Sequence, residues 1–515
     1  MAEEKKSRLY VLKPLIERWP AVAKPEGHVN FRSKIFWTVI CLVLYFILTN
    51  VMIYGVSGQI LDMFSSYRAI MAGASGSIMH LGIGPIVTAS IILQLFVGAK
   101  IIKLDLTKKE DKAIYQGSQK VLVIVMIFVE AIPQIYGYLK PSDALASMVG
   151  GSTVADLIII LQLFLGAYLV FLMDELISKW GIGSGISMFI AAGVSQSIFT
   201  GLVNWLPEST AVPVSVSNPP AGVIPGTYYL ATHMSLGDIV DGGFQLMFIG
   251  HSARTNAIVP LIGTIAIFLI VTYTESSRIE LPLAHAKVRG ARGRYPIRLI
   301  YASNIPVILM SALLANINMF ALLFYTHPSL QNLPLIGHQW WIGAYDTTYG
   351  STAAYAGGAW YLSNLNGVNS WLMPIISGGS GGHAPWQFAA KTIIYLTVMI
   401  FGSVLFARFW IETTDMGPTA VAKQIQDSGM VMPGFRRDPR VLGRVLERYI
   451  PVVTIIGGAA VGMLASFADA IGTVGNASGT GVLLTVGIMI QMYEQIAREQ
   501  AMEMHPVLRG FFGAE

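Results

Sequence analysis

The chain has 515 residues, of which 54% are hydrophobic and only 12% are charged, and its mean hydropathy is +0.59. Soluble domains carry about 25% charged residues, so this composition excludes a soluble protein and indicates a polytopic membrane protein. The net charge is +5, and the single cysteine, Cys41, excludes a disulfide within the chain.

The first 34 residues are polar and basic. Apolar residues recur at helical spacing in Tyr10–Trp19, with Lys and Arg between them, which predicts an amphipathic helix at the cytoplasmic membrane surface. The same residues contain no apolar core followed by a small-residue cleavage site, so we expect no cleaved signal peptide.

Ten apolar runs predict ten transmembrane spans, near residues 35–56, 84–100, 117–138, 153–174, 184–206, 255–275, 297–325, 389–410, 449–470 and 478–498. With these spans, 30 of the 34 Lys and Arg residues fall on one side of the membrane; the exceptions are Arg68, Lys140, Arg254 and Lys391. The positive-inside rule then places both termini in the cytoplasm.

The stretch between the first two spans, Tyr54–Lys100, is mostly apolar but is broken by glycines at its start and middle. Its first helical piece, Ile60–Met71, would be only about 18 Å long, whereas the hydrocarbon core is about 30 Å thick. Irregular backbone at that depth is stable only when it is buried in protein or lines an aqueous cavity. The stretch therefore predicts a cavity within the membrane.

Span 3 contains Glu130, and an ionisable residue in mid-span is costly and usually functional. A second glycine-rich interruption, Trp180–Ile186, begins span 5. Short, glycine-broken apolar segments suggest two related halves, spans 1–5 and spans 6–10. We therefore predict an all-α polytopic membrane protein with ten transmembrane helices in two pseudo-symmetric halves.

The halves correspond to residues 1–206 and 254–515, with an extracytoplasmic insertion at 207–253 between them. The second half also contains an extracytoplasmic loop, 327–388, and two cytoplasmic loops, 274–297 and 411–448. Both extracytoplasmic segments are rich in Gly, Ser, Asn, Pro and aromatic residues, which argues against plain disorder.

The sequence Gly378–Gly382, with Ser380 at its centre and His383 after it, matches the G-x-S-x-G pattern of a hydrolase nucleophile. That motif requires a strand, a sharp turn and a helix, whereas this match lies in a glycine-rich loop, where a flexible turn is the simpler reading. The sequence contains no Walker A loop, H-E-x-x-H motif or Cys/His metal cluster. We expect no catalytic residue, metal or cofactor.

The two cytoplasmic loops carry closely spaced arginines separated by glycines and a proline, namely Arg289, Arg292, Arg294, Arg436 and Arg437. On charge alone, these loops are basic because inside loops usually are. The interspersed glycines also suggest a shaped surface, which would suit the phosphate backbone of ribosomal RNA.

Several long motifs, in one order along the chain, resemble the archaeal SecY family, the channel (alpha) subunits of the Sec translocon. They are LGIGPIVTASIILQL (81–95), YQGSQK (115–120), WGIGSGISMFIAAGVSQSIF (180–199), RGRYPIRLIYASNIPVIL (292–309), ETTDMGP (412–418), GFRR (434–437) and GTGVLLTVGIMIQMYEQ (479–495). The extracytoplasmic segments are longer than we expect for this family.

The resemblance implies a pore sealed at its waist by apolar side chains, which exclude water and ions by dewetting. By motif, this pore ring is Ile83, Val87, Ile186, Ile190, Ile305, Ile308 and Leu484. It also implies that the short helix of the broken stretch is a re-entrant plug, formed by Ile60, Leu61, Asp62, Phe64, Tyr67 and Arg68.

The family opens sideways between spans 2–3 and 7–8, and Thr88, Glu130 and Asn316 match polar positions of that lateral gate. The alternative is that Glu130 forms a structural hydrogen bond to a neighbouring helix. The resemblance implies a protein-conducting channel in the cytoplasmic membrane. Its partners would be a SecE-type subunit, a small SecBeta-type subunit, the ribosome, signal-sequence-bearing nascent chains and membrane lipid.

A secondary solute transporter with inverted repeats is the alternative from another functional class. Such a transporter would concentrate ionisable or cation-coordinating groups at its broken helices, whereas the breaks in this chain offer glycine, isoleucine and valine.

Overall fold

The computed structural model describes residues 8–18, 20–27, 29–56, 71–99, 101–102, 104, 108–137, 139–207, 212–235, 237, 242–250, 256–285, 292–298, 304–327, 330, 332, 339–345, 354–414, 416–427, 430–431 and 439–504. Within these residues the protein is a bundle of ten long helices. They are α1 (Phe31–Thr49), α2 (Gly84–Gly98), α3 (Lys109–Gly137), α4 (Ser152–Trp180), α5 (Gly185–Val203), α6 (Ile258–Ser276), α7 (Ile305–Thr326), α8 (Pro385–Thr413), α9 (Pro439–Ile471) and α10 (Gly479–Met504).

Eight of these helices, among the residues described, are long and apolar enough to cross a membrane. The other two are α2, which has 15 residues, and α10, whose second half is polar. We call the end of the bundle at which α1 begins the basic end, because the predicted cytoplasmic loops lie there.

Each predicted span overlaps one of the ten helices. Helix α7 was predicted from residue 297 but begins at Ile305, because a β-strand occupies Arg292–Arg298. Helices α3, α4 and α9 extend beyond their predicted spans at the basic end, since helical hydrogen bonding continues where the sequence turns polar.

The N-terminal segment forms a 3₁₀ turn, Arg8–Leu12, and a short helix, Lys13–Arg18. Both pack against α3. The Tyr10 hydroxyl donates a hydrogen bond to Asp111, which raises the pKa of Tyr10 to about 12. The predicted amphipathic helix is therefore shorter than expected and is fixed to the bundle.

The broken stretch between α1 and α2 is irregular where it is described, at residues 51–56 and 71–83. The Tyr45 hydroxyl donates to the Ala72 carbonyl at 3.1 Å, and the Ile83 amide donates to the Met71 carbonyl at 2.7 Å. Gly82 has φ +54°, and a Cβ there would lie 2.1 Å from the Met71 oxygen. The irregular backbone of residues 71–83 thus lies within the bundle, whereas Met52 and Tyr54 are exposed.

The loops at the basic end contain a small sheet, which the all-α prediction missed. Strands β1 (Arg278–His285) and β2 (Arg292–Arg298) form an antiparallel hairpin between α6 and α7. A short strand from the α8–α9 loop pairs with β1, with Ala284 opposite Val431. The two loops that the sequence treats separately are therefore joined.

Short elements lie at both ends of the bundle. Strands β3 (Ala344–Tyr345) and β4 (Ala354–Ala356) form a second small antiparallel sheet, and the strand from the α8–α9 loop is β5 (Met430–Val431). The remaining short helices are Asp143–Val149, Val223–His233, Phe244–Phe248, Gly358–Leu362, Val368–Ser370, Leu372–Ile376, Pro418–Asp427 and Val474–Asn476.

One extended apolar core runs through the bundle and includes residues of α1–α10. A smaller core, around Leu446 of α9, packs the helix Pro418–Asp427 at the basic end. A third, around the buried Tyr345, packs β3 and β4 against α7. The third core attaches the segment between α7 and α8 directly to α7.

Candidate functional site: an apolar constriction beside a polar seam

The seven predicted ring residues lie at or near the first two turns of four helices. Ile83 caps α2 and Val87 follows one turn later; the others lie on α5 (Ile186, Ile190), α7 (Ile305, Ile308) and α10 (Leu484). Ile83, Ile190 and Leu484 are completely buried. All seven belong to the extended core or pack against it.

The four helices that carry these residues are neighbours in the bundle, each packed against the next. Helix α2 contacts α7, α7 contacts α10, and α10 contacts α5. The seven branched apolar side chains are therefore carried by helices that pack against one another, as a single constriction would require. This arrangement suits a seal against water and ions.

The three polar residues predicted for the lateral gate form one hydrogen-bonded network. The Thr88 hydroxyl on α2 donates to Glu130 Oε1 on α3 at 2.6 Å. The Asn316 side-chain amide on α7 donates to the Thr88 hydroxyl at 2.9 Å. All three side chains are at least nine-tenths buried, so the network joins α2, α3 and α7 in a water-poor environment. We call it the polar seam.

The start of α2 is shaped to admit the Glu130 carboxylate. A Cβ at Gly84 would lie only 2.7 Å from Glu130 Oε2, so any larger residue there would displace the carboxylate. The Gly84 carbonyl also accepts a 3.0 Å hydrogen bond from Thr88. Gly84, one of the glycines that interrupt the apolar stretch, is therefore needed because it leaves space for the Glu130 carboxylate.

Two further contacts between α3 and α7 continue from the polar seam, and sequence reasoning missed both. Gln134 lies one turn after Glu130 and its amide donates to the Met319 sulfur at 3.8 Å. Near the ends of the helices, the rings of Tyr136 and His327 meet edge to face at 4.3 Å between centroids. The i+4 spacing places Gln134 on the same face of α3 as Glu130. It does not indicate which helix that face contacts.

The predicted plug residues Ile60, Leu61, Asp62, Phe64, Tyr67 and Arg68 lie outside the described residues. So do Arg289, Arg436 and Arg437. Arg292 and Arg294 lie in β2, opposite Ala284 and Pro282 of β1. Because β5 pairs with the same strand, the two basic loops emerge from one sheet.

The Ser380 motif does not have the geometry of a hydrolase. Ser380 and His383 exchange backbone hydrogen bonds across a tight turn. The two His383 ring nitrogens face Gln387 Oε1 and the Tyr355 carbonyl rather than the Ser380 hydroxyl. In the described part of the chain, no group of three or more His, Cys, Asp or Glu side chains could hold a metal ion.

Two family models match the chain. The model described as SecY matches residues 77–493, and the model described as the plug domain of Sec61p matches residues 43–76. The second match covers the broken stretch as far as Gly76.

Similar proteins cover nearly the whole chain. Protein translocase subunit SecY of Archaeoglobus fulgidus is 45% identical over 516 residues, which is 99% of each chain. Protein translocase subunit SecY of Halobacterium salinarum is 45% identical over 505 residues, covering 97% of this chain and 98% of its own.

Two solved structures share the fold. One is a protein-conducting channel, with a TM-score of 0.74 and 37% identity over 96% of this chain and 98% of its own. The other is Sec61 in the canine ribosome–channel complex from the endoplasmic reticulum, with a TM-score of 0.72 and 36% identity over the same shares.

Proposed function

Because the chain belongs to the SecY family of protein translocase subunits, we propose that its apolar constriction and polar seam are the two gates of a protein-conducting channel. The protein is the central subunit of that channel. The channel translocates secretory polypeptides across the membrane and inserts membrane proteins laterally into it.

The arrangement of the polar seam carries this proposal. Thr88, Glu130 and Asn316 join three helices that also carry, or adjoin, the apolar constriction. A fixed structural contact would need only one pair of helices. A network that holds α7 to α2 and α3 can instead separate along one line, and a path from the constriction to lipid would open there.

The constriction would act by excluding water. Isoleucine, valine and leucine side chains dewet a narrow passage, and they form no hydrogen bonds that a passing polypeptide would have to break. They can therefore part around an extended chain and close again behind it. In this proposal the plug, Ile60, Leu61, Asp62, Phe64, Tyr67 and Arg68, closes the same passage from outside.

The polar seam would set how hydrophobic a segment must be before it leaves the channel. Separating α7 from α2 and α3 breaks the hydrogen bond from Asn316 to Thr88, which costs about 1–3 kcal/mol for each buried group left unpaired. A sufficiently apolar segment offsets that cost by entering lipid. Less apolar segments would continue across the membrane.

The positive-inside rule supports a topology with both termini and the basic end in the cytoplasm. The organisation that follows is an N-terminal half, 1–206, an extracytoplasmic insertion, 207–253, and a C-terminal half, 254–515. The plasma (cytoplasmic) membrane is the membrane that this topology implies. The channel would perform no covalent chemistry of its own.

The sheet that joins the two basic loops is an argument for a ribosome-binding surface at the basic end. Arg292 and Arg294 lie on β2, while β5 leads directly into the segment that contains Arg436 and Arg437. Closely spaced cations from two loops would contact the phosphates of ribosomal RNA. A SecE-type subunit and a small SecBeta-type subunit would complete the channel and stabilise it in lipid.

A reversible cross-link across the polar seam tests this function. Thr88→Cys combined with Asn316→Cys places two thiols where a hydrogen bond now joins the side chains, and the native Cys41 is completely buried. In proteoliposomes with the co-purifying subunits, oxidation should stop lateral insertion of a membrane segment, and reduction should restore it. A secretory precursor should become protected from protease in the reduced sample.

The reduced and oxidised forms of one preparation are matched controls for each other. Precursor that stays accessible to protease, together with saturable ion-coupled uptake of a solute, would instead favour a secondary transporter. Insertion that is equally efficient in both redox states would exclude the polar seam as the lateral gate.

A further inference from the structure

The segment between α7 and α8, together with the first turn of α8, presents four large aromatic side chains to its surroundings. Trp340 is 76% exposed, Trp341 52%, Tyr355 51% and Trp386 65%. Exposed aromatic residues are common singly, but a group of them at one place marks a contact surface. We call these four residues the aromatic rim.

Backbone contacts hold the members of the aromatic rim close together. The Trp341 carbonyl accepts a 2.8 Å hydrogen bond from Gly358, and the Trp340 carbonyl lies within 2.4 Å of a Cβ placed on Gly357. Strand β4, which contains Tyr355, ends at Ala356 just before these glycines. The Tyr355 carbonyl in turn contacts the ring of His383, three residues before Trp386.

The same segment is fixed to the bundle by its other face. Trp360 is buried, stacks on His383 with 4.0 Å between ring centroids, and packs against Phe388 in the first turn of α8. The Lys391 ammonium lies 4.8 Å from the Trp360 ring centroid. The aromatic rim is thus the outward side of a segment whose inward side is firmly packed.

The aromatic rim continues directly into a surface that faces lipid. Helix α8 is a candidate membrane span, and its exposed residues include Ile393, Phe401 and Leu405, while Tyr395 and Met399 on the other face are buried. Trp386, in the first turn, lies seven residues before Ile393 and therefore on the same exposed face. The rim begins where the lipid-facing stripe ends.

The chemistry of the segment also fits the boundary between lipid and water. Residues 327–388 contain no Lys or Arg and a single acidic residue, Asp346. Trp and Tyr are enriched at membrane interfaces because an apolar ring and a polar N–H or O–H are satisfied together there. Tyr54 and Trp205, which follow α1 and α5 at the same end of the bundle, are 64% and 65% exposed.

We propose that the aromatic rim docks onto the lipid headgroup region of the leaflet at the end opposite the basic loops. The segment between α7 and α8 then lies on lipid beside the channel and anchors the start of α8, with the attached third core holding α7. The partner is the lipid surface itself, recognised by its polarity gradient. Because the rim carries no charge, docking does not require anionic lipid.

Fluorescence quenching by spin-labelled lipid tests the proposal in the full-length chain, purified with its co-purifying subunits and placed in phosphatidylcholine nanodiscs. Trp340→Cys is labelled with an environment-sensitive dye; the native Cys41 is completely buried and does not compete. Nitroxide groups are placed near the headgroup or deep in the acyl chain. We expect most of the fluorescence at position 340 to be lost with the shallow nitroxide and much less with the deep one.

The matched control is Asn366→Cys, in the same segment. Asn366 is exposed but borders a cavity of about 600 Å³ that also contacts Asp469 and Ser478, so a label there should be quenched by aqueous iodide and not by nitroxide. Tyr355→Cys provides a second position should the tryptophan variant express poorly. It should behave like position 340.

Three results would overturn the proposal. Iodide quenching at positions 340 and 355 without nitroxide quenching would show that the rim faces water. Protection from both quenchers would show that a protein subunit, rather than lipid, covers it. Quenching that requires anionic lipid would contradict recognition by polarity alone.

Discussion

The Thr88 hydroxyl on α2 lies 2.6 Å from the Glu130 carboxylate on α3 and donates a hydrogen bond to it. The same hydroxyl accepts a bond from Asn316 on α7. One small side chain therefore satisfies a buried carboxylate and a buried amide at once. Removing that hydroxyl deprives the carboxylate of its donor and leaves the Asn316 amide with only its bond to the Ala312 carbonyl, without changing the packing volume much.

Thr88→Val should lower the hydrophobicity at which a segment leaves the channel. The closed seam would lose about 1–3 kcal/mol of stability for each buried group left unsatisfied, while the open seam would lose little because water or lipid headgroups can reach it. The measurement is the inserted fraction of test segments with graded leucine content. The midpoint should shift to fewer leucines.

Thr397→Val is the control for that substitution, because Thr397 is exposed on α8. Thr397→Val also replaces a hydroxyl group by a methyl group, but on a helix surface that faces outward. The leucine content at which half of the test segments insert should therefore not change. An identical midpoint in Thr88→Val and the unaltered protein would mean that Glu130 has only the structural role of an interhelical hydrogen bond.

Tyr136→Ala should lower the same midpoint by a smaller amount. The edge-to-face contact of Tyr136 with His327 is expected to contribute about 0.5–1.5 kcal/mol beyond its buried area. A double-mutant cycle with His327→Ala, read by the insertion midpoint, measures the coupling. Tyr136→Phe keeps the ring and should behave like the unaltered protein, and fully additive single effects would exclude a coupled contact.

The sequence predicted the membrane helices well because the signal for them is local. Runs of apolar residues locate spans, and a glutamate in such a run is conspicuous. The motif match assigned Thr88, Glu130 and Asn316 to polar positions of one lateral gate, and the structure joins their side chains by hydrogen bonds. Their role in gating stays a prediction. The glycine breaks also predicted the irregular stretch before α2.

Contacts between distant segments could not be predicted in the same way. The pairing of Ala284 with Val431 joins loops separated by two long helices, and neither loop has a pattern that specifies the other. The packing of Tyr345 on α7 and the contact of Tyr136 with His327 likewise depend on how helices are placed in the bundle. The spacing of apolar and polar residues along one segment does not indicate where that segment packs in the bundle.

Ile83→Ser together with Ile305→Ser should raise the ion conductance of resting channels several-fold. Hydroxyl groups at the constriction hold water, and a hydrated passage conducts ions where an apolar one does not. The measurement is current across planar bilayers that contain the purified channel without substrate. Ile83 is completely buried and Ile305 is partly buried, so thermal unfolding should be recorded to confirm that the variant is folded.

Ile393→Ser is the matched control for the constriction, since Ile393 is 65% exposed on α8. Its current should equal that of the unaltered channel. Equal currents in all three proteins would exclude Ile83 and Ile305 from the seal.

Ala284→Cys with Val431→Cys should form a disulfide under mild oxidation. The two residues are directly opposite in the antiparallel pair of β1 and β5, where Cα atoms are about 4.5–5.5 Å apart, within the range of a disulfide. Mass spectrometry of peptides from the folded channel detects the bond. Ala284→Cys with Lys423→Cys, whose second residue is exposed in the helix Pro418–Asp427, should remain reduced; equal yields in both pairs would contradict the sheet.

Arg292→Glu together with Arg436→Glu should weaken ribosome binding and make it less dependent on salt. Each cation that contacts a phosphate releases a counterion, so losing two such contacts flattens the slope of log affinity against log salt by about 0.7–0.9 for each. Titration of ribosomes with channel in nanodiscs, at several salt concentrations, provides both quantities. Lys423→Glu changes the charge of the same basic loop outside the sheet and should reduce binding much less. The Lys423 variant and the arginine variant could instead lose the same affinity per unit of charge. The loops would then act only through their general positive charge, and the five arginines would form no specific binding surface.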